Sequence, residues 1–578
     1  MPIFSRTALA RRRAATTSAA LLAGLLPLIT VAACSSAASP TAASSSAASS
    51  ASTTVIRAAW PADVTSLDPP STSTNEDHSL VRNVYQSLLS PAFTTQADGS
   101  LKFDGAQVKP SLAQSYDIGA SSLTFHLRPN VKFYGTNDTL DAEDVKWTFD
   151  RIYQTPEGPD LQAIGVLAPS DITIVNSTTV RFDFKTADGK PTPVTPTVLA
   201  LFDQAQTSII DQKQVAPHVT AADPIGATWL RSHTAGTGPY YIASRQPGVS
   251  FVLKAVPDSW SPQPSYPTVD IQITTGSITS LLQNGEINIG EYDLTNEQVN
   301  SVQSAGFTVE WANTGNFDMF AISSGPASQV GALANVDVRR AIAYALPYDE
   351  VLKNIVFGRG TRDLSIVSPT APEYTPAWSI YSTNLAKAKS LMAQAGNPQI
   401  SMPLYYLQGD VDQTNTAILI QASLKSIGIT TVLTPQTQAG MFDALNARSS
   451  PAKGAKIGPP GFILFNWSAW TDDPKIVIGY WATTGGVNNY SLWSSPQVDE
   501  INAKYALLPT SAARTAAYKQ AQEIIAGDAA MLPIVATGTV AVVAKGITGV
   551  SFSPTGSGRY WTLHPVGKTS ALDALFSA

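Results

Sequence analysis

The chain has 578 residues, of which 14% are charged, and 37 basic against 43 acidic side chains give a formal net charge of −6. That sparse, slightly negative balance argues against a polyanion-binding surface, so no nucleic-acid partner is expected. The single cysteine, Cys34, excludes an intrachain disulfide, and stability must come from a large buried core.

Arg11, Arg12 and Arg13 give a positive start, Ala14 to Ala33 is almost wholly apolar or small, and Val31-Ala32-Ala33-Cys34 closes the run. Those are the parts of a secretory signal, expected over residues 1–33. The Ser/Ala/Thr-rich stretch that follows, residues 34–54, has the composition of a flexible tether. Val31 to Cys34 resembles a bacterial lipobox, which implies a diacylglyceryl group on Cys34 and a body held at the outer face of the cytoplasmic membrane. An uncleaved anchor, an ordinary signal peptide and a catalytic thiol are the other readings. The thiol is the poorest, since no folded context surrounds Cys34. No later segment offers about 18 consecutive apolar residues, so no second span is expected. The remaining body, roughly 520 residues, is long enough for two or three lobes.

Thr54 to Trp60 is a β-prone run that ends in the turn Ser66-Leu67-Asp68-Pro69-Pro70. An amphipathic helix is predicted from about His78 to Leu89, with Leu80, Val81, Val84 and Leu88 at helical spacing. Leu123 to Arg128 alternates apolar and polar side chains as a half-buried strand does. Asp141 is placed to N-cap a following helix, with Glu143 and Asp144 near its positive end.

Lys109-Pro110-Ser111-Leu112-Ala113-Gln114-Ser115-Tyr116, then Leu123 to Arg128, Val131-Lys132-Phe133 and Ala142-Glu143-Asp144-Val145, together resemble the signature of the family 5 extracellular solute-binding proteins. Ser66 to Pro69, Gly236-Thr237-Gly238-Pro239-Tyr240, Leu282 to Ile287, Val338 to Leu346, Ala386 to Gly396 and Pro496 to Asp499 continue the likeness in order. The resemblance implies an α/β, two-lobed periplasmic-binding-protein-like fold with a hinge and an extra α/β subdomain in the first lobe. Lobe one is then expected over 55–84, 195–313 and 542–578, the subdomain over 85–194 and lobe two over 315–541. It also implies a monomeric, non-enzymatic receptor that captures a solute, most simply an oligopeptide, and passes it to the permease of an ABC importer. A receptor feeding a sensor is a weaker variant. No cofactor or metal is expected.

The resemblance directs the ligand to Ser73, Thr74 and Asn75 after the Leu-Asp-Pro turn, and to Trp467 through Pro474. Peptide-binding members carry an aspartate three residues before an acidic-Pro pair, and it pairs with the ligand's α-ammonium. Here the pair is Asp473-Pro474 and that register holds Trp470. An indole offers one N–H donor and an apolar face, so it cannot replace a carboxylate. With Trp470 in the cleft, N-blocked or uncharged peptides are expected over free amines. A loop shifted by two residues brings Asp472 to the same job, with Trp467 and Trp470 stacking on a ring or a cation. Asn488, Asn489 and Tyr490, and Ser323 and Ser324 after the predicted strand Phe317 to Ile322, complete the candidates.

Enzymatic readings fare worse. His78, His126, His218, His233 and His564 lack metal-ligand spacing. Gly567-Lys568-Thr569 ends like a phosphate loop, but Thr562 stands where its first glycine belongs. Ser450-Pro451-Ala452-Lys453 has the spacing of a serine acyl-enzyme motif, leaving a cell-surface serine acyltransferase or hydrolase acting on cell-wall peptides as the alternative.

Overall fold

A computed structural model of the protein describes residues 54–578, except 156–157, 159–167, 187, 293, 313, 326–329, 438–439, 442–459, 469–470, 487, 554–557 and 578. Cys34 with its signal and tether, Ser450 and Trp470 lie outside the described residues. Among those residues, no helix is long and apolar enough to cross a membrane.

Two mixed sheets organise the body. The first has seven described strands, in the order Thr308–Ala312, Thr539–Val543, Ile289–Gly290, Val55–Trp60, Thr268–Ile273, Ser250–Ala255 and Tyr240–Gln246. Val55–Trp60 runs parallel to Thr268–Ile273, and Ile56 and Trp60 are fully buried in the core beneath. The second has six, in the order Thr361–Arg362, Met531–Ala536, Asn316–Ile322, Phe462–Ser468, Ile400–Leu407 and Ile429–Gln436. Its central strands are apolar on both faces because helices cover them, as parallel-containing sheets require.

The chain crosses between these sheets twice, side by side. Ala312 hands over to Asn316, and Ala536 returns to Thr539. Ala312 pairs with Thr539 on one side of the crossing and Phe317 with Ala536 on the other. The Thr537 amide donates to the Asn316 carbonyl at 3.1 Å, and the Thr314 and Thr539 hydroxyls meet at 2.9 Å. Gly538 has φ +65°, and a Cβ there would sit 2.4 Å from the Ala312 carbonyl oxygen, so only glycine fits this close double crossing. The strand Thr539–Val543 therefore belongs to the first sheet, which corrects the expected return at 542.

A four-stranded sheet, in the order Ala113–Ile118, Ser122–Leu127, Thr179–Asp183 and Ile172–Asn176, forms the centre of the inserted region. Its alternation is as predicted: Leu123, Phe125 and Leu127 are buried while Thr124 and His126 are partly exposed. Phe125 packs 4.8 Å from Phe202, which also lies 4.9 Å from Phe182 and 5.4 Å from Phe149. Burying each such ring contributes about 1.5–3 kcal/mol. The same core takes in Val198, Leu201 and Ile209, so by packing it extends past the expected 194 boundary. The helix Ala142–Ile152 begins as expected, with Asp141 accepting from the Glu143 and Asp144 amides at 2.9 and 3.2 Å.

The first helix differs from its prediction, running Asn75–Val84 rather than from His78 to Leu89. A reciprocal cap starts it early: Thr74 Oγ1 accepts from the Asp77 amide while the Asp77 carboxylate accepts from the Thr74 amide. Its end is set by the Gly236-Thr237-Gly238 segment, where the Gly238 amide takes the Val84 carbonyl at 3.1 Å. A Cβ on Gly236 would come within 2.3 Å of that carbonyl oxygen. The glycines of this motif thus allow a backbone-to-backbone contact that releases Leu89 into the strand Leu89–Thr95.

Candidate functional site

The strand Phe462–Ser468 ends beside the double crossing, because Ser468 pairs with Asn316. The chain then delivers Asp473 to the start of the helix Pro474–Trp481, with proline at its first position. Asp473 caps this helix, accepting from the Lys475 amide at 3.0 Å. It also accepts from Arg514 Nη2, while Arg514 Nη1 donates to Glu373. Arg514, Glu373 and Asp473 are 0%, 1% and 3% exposed, so the triad is sealed from water. Burial raises the Glu373 carboxyl, and Arg514 opposes that rise. The second Asp473 oxygen accepts from Thr197 Oγ1 at 2.6 Å, from the helix Pro196–Leu201.

A second bridge lies near the start of the helix Asn296–Ser304. Asn296 donates its amide and its side-chain nitrogen to Asp412 Oδ2 at 3.3 and 2.8 Å, and Arg359 donates to the Asn296 carbonyl. Near it Asp318, at the hinge end of the second sheet, accepts from Asn466 Nδ2 at 3.1 Å. Burial, with Asp410 and Asp412 nearby, pushes the Asp318 carboxyl up to about 7. Exposed Asn466 is therefore held in place by a buried acid.

Asp472 is 8% exposed and accepts from the Thr370 hydroxyl, which itself meets Ser368 Oγ at 2.8 Å. Burial raises its carboxyl; Thr370 and Ser368 counteract this, and Asp104 and Lys102 of the strand Leu101–Pro110 act on it electrostatically with opposite signs. A carboxylate so placed suits an incoming ammonium, which restores the charge balance that burial removed. Trp467 is half-buried, edge-on to Trp481 at 4.9 Å, and its indole Nε1 has no hydrogen-bond partner among the described residues. Trp481 in turn stacks on Phe465 at 4.5 Å. The wall is aromatic, and the Trp481 indole Nε1 likewise has no hydrogen-bond partner among the described residues.

On the first-lobe side, Ser73 and Asn75 are exposed and Thr74 is half-buried. The Asp77 carboxylate accepts from the Thr65 amide and hydroxyl, both at 2.7 Å, and from the Ser73 amide at 3.0 Å, which fixes the loop. The Thr74 hydroxyl is committed to capping. Thr74→Ala is expected to cost about 1 kcal/mol in denaturant unfolding and to leave ligand affinity unchanged.

Two expected groups are corrected. Ser323 and Ser324 follow the strand Asn316–Ile322, whose far end lies about 20 Å from the crossing at the usual rise per residue. Ser323 Oγ donates to the Gly461 carbonyl at 2.5 Å and accepts from its amide at 3.0 Å, an internal strut rather than a cleft contact. Asn489 spends its side chain on the Thr483 and Trp493 carbonyls at 2.8 and 2.6 Å and on the Ser491 hydroxyl. Tyr490 is 3% exposed and packs edge-on against Trp481, and Asn488 accepts from its hydroxyl at 3.2 Å. Those residues build the wall from behind. Sequence reasoning missed Thr197, Ser368, Thr370, Glu373 and Arg514. Only Arg514, a lone arginine among the alanines of Ala512–Asp528, carries a readable signal.

This architecture has known counterparts. The chain is 26% identical over 511 residues to the probable D,D-dipeptide-binding periplasmic protein DdpA of Escherichia coli, covering 85% of this chain and 90% of that one. Its fold matches the ABC transporter substrate-binding protein CtaP of Listeria monocytogenes with a TM-score of 0.73 at 21% identity, over 88% of this chain and 99% of the other. The periplasmic binding protein DppA of Helicobacter pylori, in complex with the peptide STSA, matches with a TM-score of 0.67 at 22% identity, over 88% and 98%. Residues 107–489 match the family model of the bacterial extracellular solute-binding proteins, family 5 Middle, and the chain belongs to that family.

Proposed function

We propose that the protein is an exported, Cys34-anchored receptor that captures a peptide-like solute between two lobes and presents it to the permease of an ABC importer. The lobes are the segments on either side of the double crossing, 55–312 with 539–578 and 316–536. The observation that carries the peptide reading is Asp472, a buried carboxylate next to the hinge, held by hydroxyls and facing the charged strand Leu101–Pro110. DdpA and DppA, whose names and contents speak of peptides, support it.

Closure follows from differential affinity: a solute touching both lobes favours the closed form by the contacts it makes only there. Moving that equilibrium from 1:99 to 99:1 takes about 5.5 kcal/mol. The Thr197 to Asp473 bond contributes to the closed side. A hydrogen bond to a charged group is worth about 1.5–3 kcal/mol. Thr197→Val is therefore expected to weaken peptide binding about tenfold or more, with little change in the stability of the separate lobes.

Tryptophan-fluorescence titration with matched free and N-acetylated peptides tests the assignment. Free peptides are expected to bind at least about tenfold more tightly, and Asp472→Asn to erase the difference. Affinity should also fall on acidification, beginning above the pH at which an ordinary aspartate protonates, because Asp472 must be ionised to hold an ammonium and burial raises its pKa. A preference for N-acetylated peptides would instead favour Trp470 as the residue at that position.

A further inference from the structure

Four segments converge on a pocket of about 40 Å3 that is open to solvent. Arg82 comes from the helix Asn75–Val84, Asp203 follows the helix Pro196–Leu201, Ser90 and Ser111 come from the inserted region, and Arg559 and Trp561 come from the tail. Arg559 and Trp561 are 6% and 7% exposed, and Arg559 Nη1 and Trp561 Nε1 have no hydrogen-bond partner among the described residues. Arg82, Arg559 and Asp203 are the charged residues of its lining. Burial lowers the pKa of both arginines, with Asp203 opposing. The cation-π contact of Arg559 over the Phe93 ring, at 5.0 Å, holds the guanidinium without using its N–H donors.

A buried donor without a partner costs free energy that a ligand acceptor recovers. Guanidinium groups match planar or tetrahedral oxyanions through paired N–H donors, and the indole N–H adds a further donor. One water needs about 10–15 Å3 measured in the same way, so the pocket has room for a few waters or one small oxyanion, and not for an amino acid.

We propose that this pocket is a binding site for a small inorganic oxyanion of the phosphate or sulfate type, which pins the tail to the first helix and the inserted region. It is separate from the peptide cleft and independent of the function proposed above. Titration calorimetry of the full protein with low-millimolar potassium phosphate and, separately, potassium sulfate tests it, with potassium chloride at matched ionic strength as the control. Saturable one-to-one binding of at least one oxyanion is expected. Arg559→Gln should weaken it about tenfold or more, and Trp561→Phe, which keeps the packing and removes the indole donor, should weaken it several-fold. The two oxyanion arms identify which is preferred. Absence of heat with both oxyanions, an equal response to chloride, or unchanged affinity in Trp561→Phe together with Arg559→Gln would overturn the assignment. Should Arg559→Gln fail to fold, Trp561→Phe decides the question alone.

Discussion

Replacing Arg514 by methionine is expected to lower the unfolding free energy by about 3–5 kcal/mol, read as a fall in the denaturant midpoint at unchanged slope. The reason is geometric. Arg514 is fully buried and shared by Glu373 and Asp473, which are themselves buried, so its removal leaves two carboxylates in a low-dielectric interior with no cation bonded to them. The Lys475 ammonium, which burial already disfavours, lies near Asp473 but makes no hydrogen bond to it. One of the acids must then take up a proton, so the loss should shrink as pH falls. The triple variant Arg514→Met, Glu373→Gln, Asp473→Asn should recover much of the loss, since neutral groups cost far less to bury. Arg514→Met alone also removes one of the groups that fix Asp473, so peptide affinity should fall together with stability. A surface ion pair such as Lys190 with Asp188 would show neither effect.

Arg151→Met should be comparably severe, again about 3–5 kcal/mol. Arg151 grips Asp68 through two parallel bonds of 2.7 and 2.9 Å, with the pair 2% and 1% exposed, and its Nε donates to the Ile225 carbonyl at 3.1 Å. This pair fastens the Ser66 to Pro70 turn to the helix Ala142–Ile152. Asp68 also accepts from the Ser71 hydroxyl at 3.2 Å, so the aspartate of the Leu-Asp-Pro turn has a structural use. The double variant Asp68→Leu, Arg151→Met is expected to lose less than Arg151→Met alone, because no unpaired charge is left behind. Equal losses in the two proteins would mean that packing around Trp147, over whose ring Arg151 lies at 5.5 Å, dominates instead.

Local chemistry was legible from the chain, and long-range chemistry was not. The Ser122–Leu127 alternation and the Asp141 cap depend on neighbours within a few residues, and both stand in the structure where periodicity put them. The first helix was misplaced because its apolar spacing continues through Leu88, while the capping box at Thr74 and the Val84 carbonyl taken by Gly238 decide its ends. Ser323 and Ser324 were misread for a directional reason. Their strand enters the second sheet at the hinge and carries them to its other end. Phe202 joins a core whose other rings come from residues 125, 149 and 182, and no local pattern announces that. Thr197 is 276 residues from Asp473, so no local pattern announces their bond. Asp472 enters as a candidate from the resemblance at the Asp-Pro pair, and its role is part of the proposal above.

Native mass spectrometry of the full protein incubated with a mixture of di- to hexapeptides bears most directly on the central claim. The account predicts one peptide retained per chain, with adducts much reduced in Asp472→Asn and in Thr197→Val while both variants remain folded. A protein that retains no peptide from the mixture, or that retains the same peptides when Asp472 and Thr197 are replaced, would contradict it.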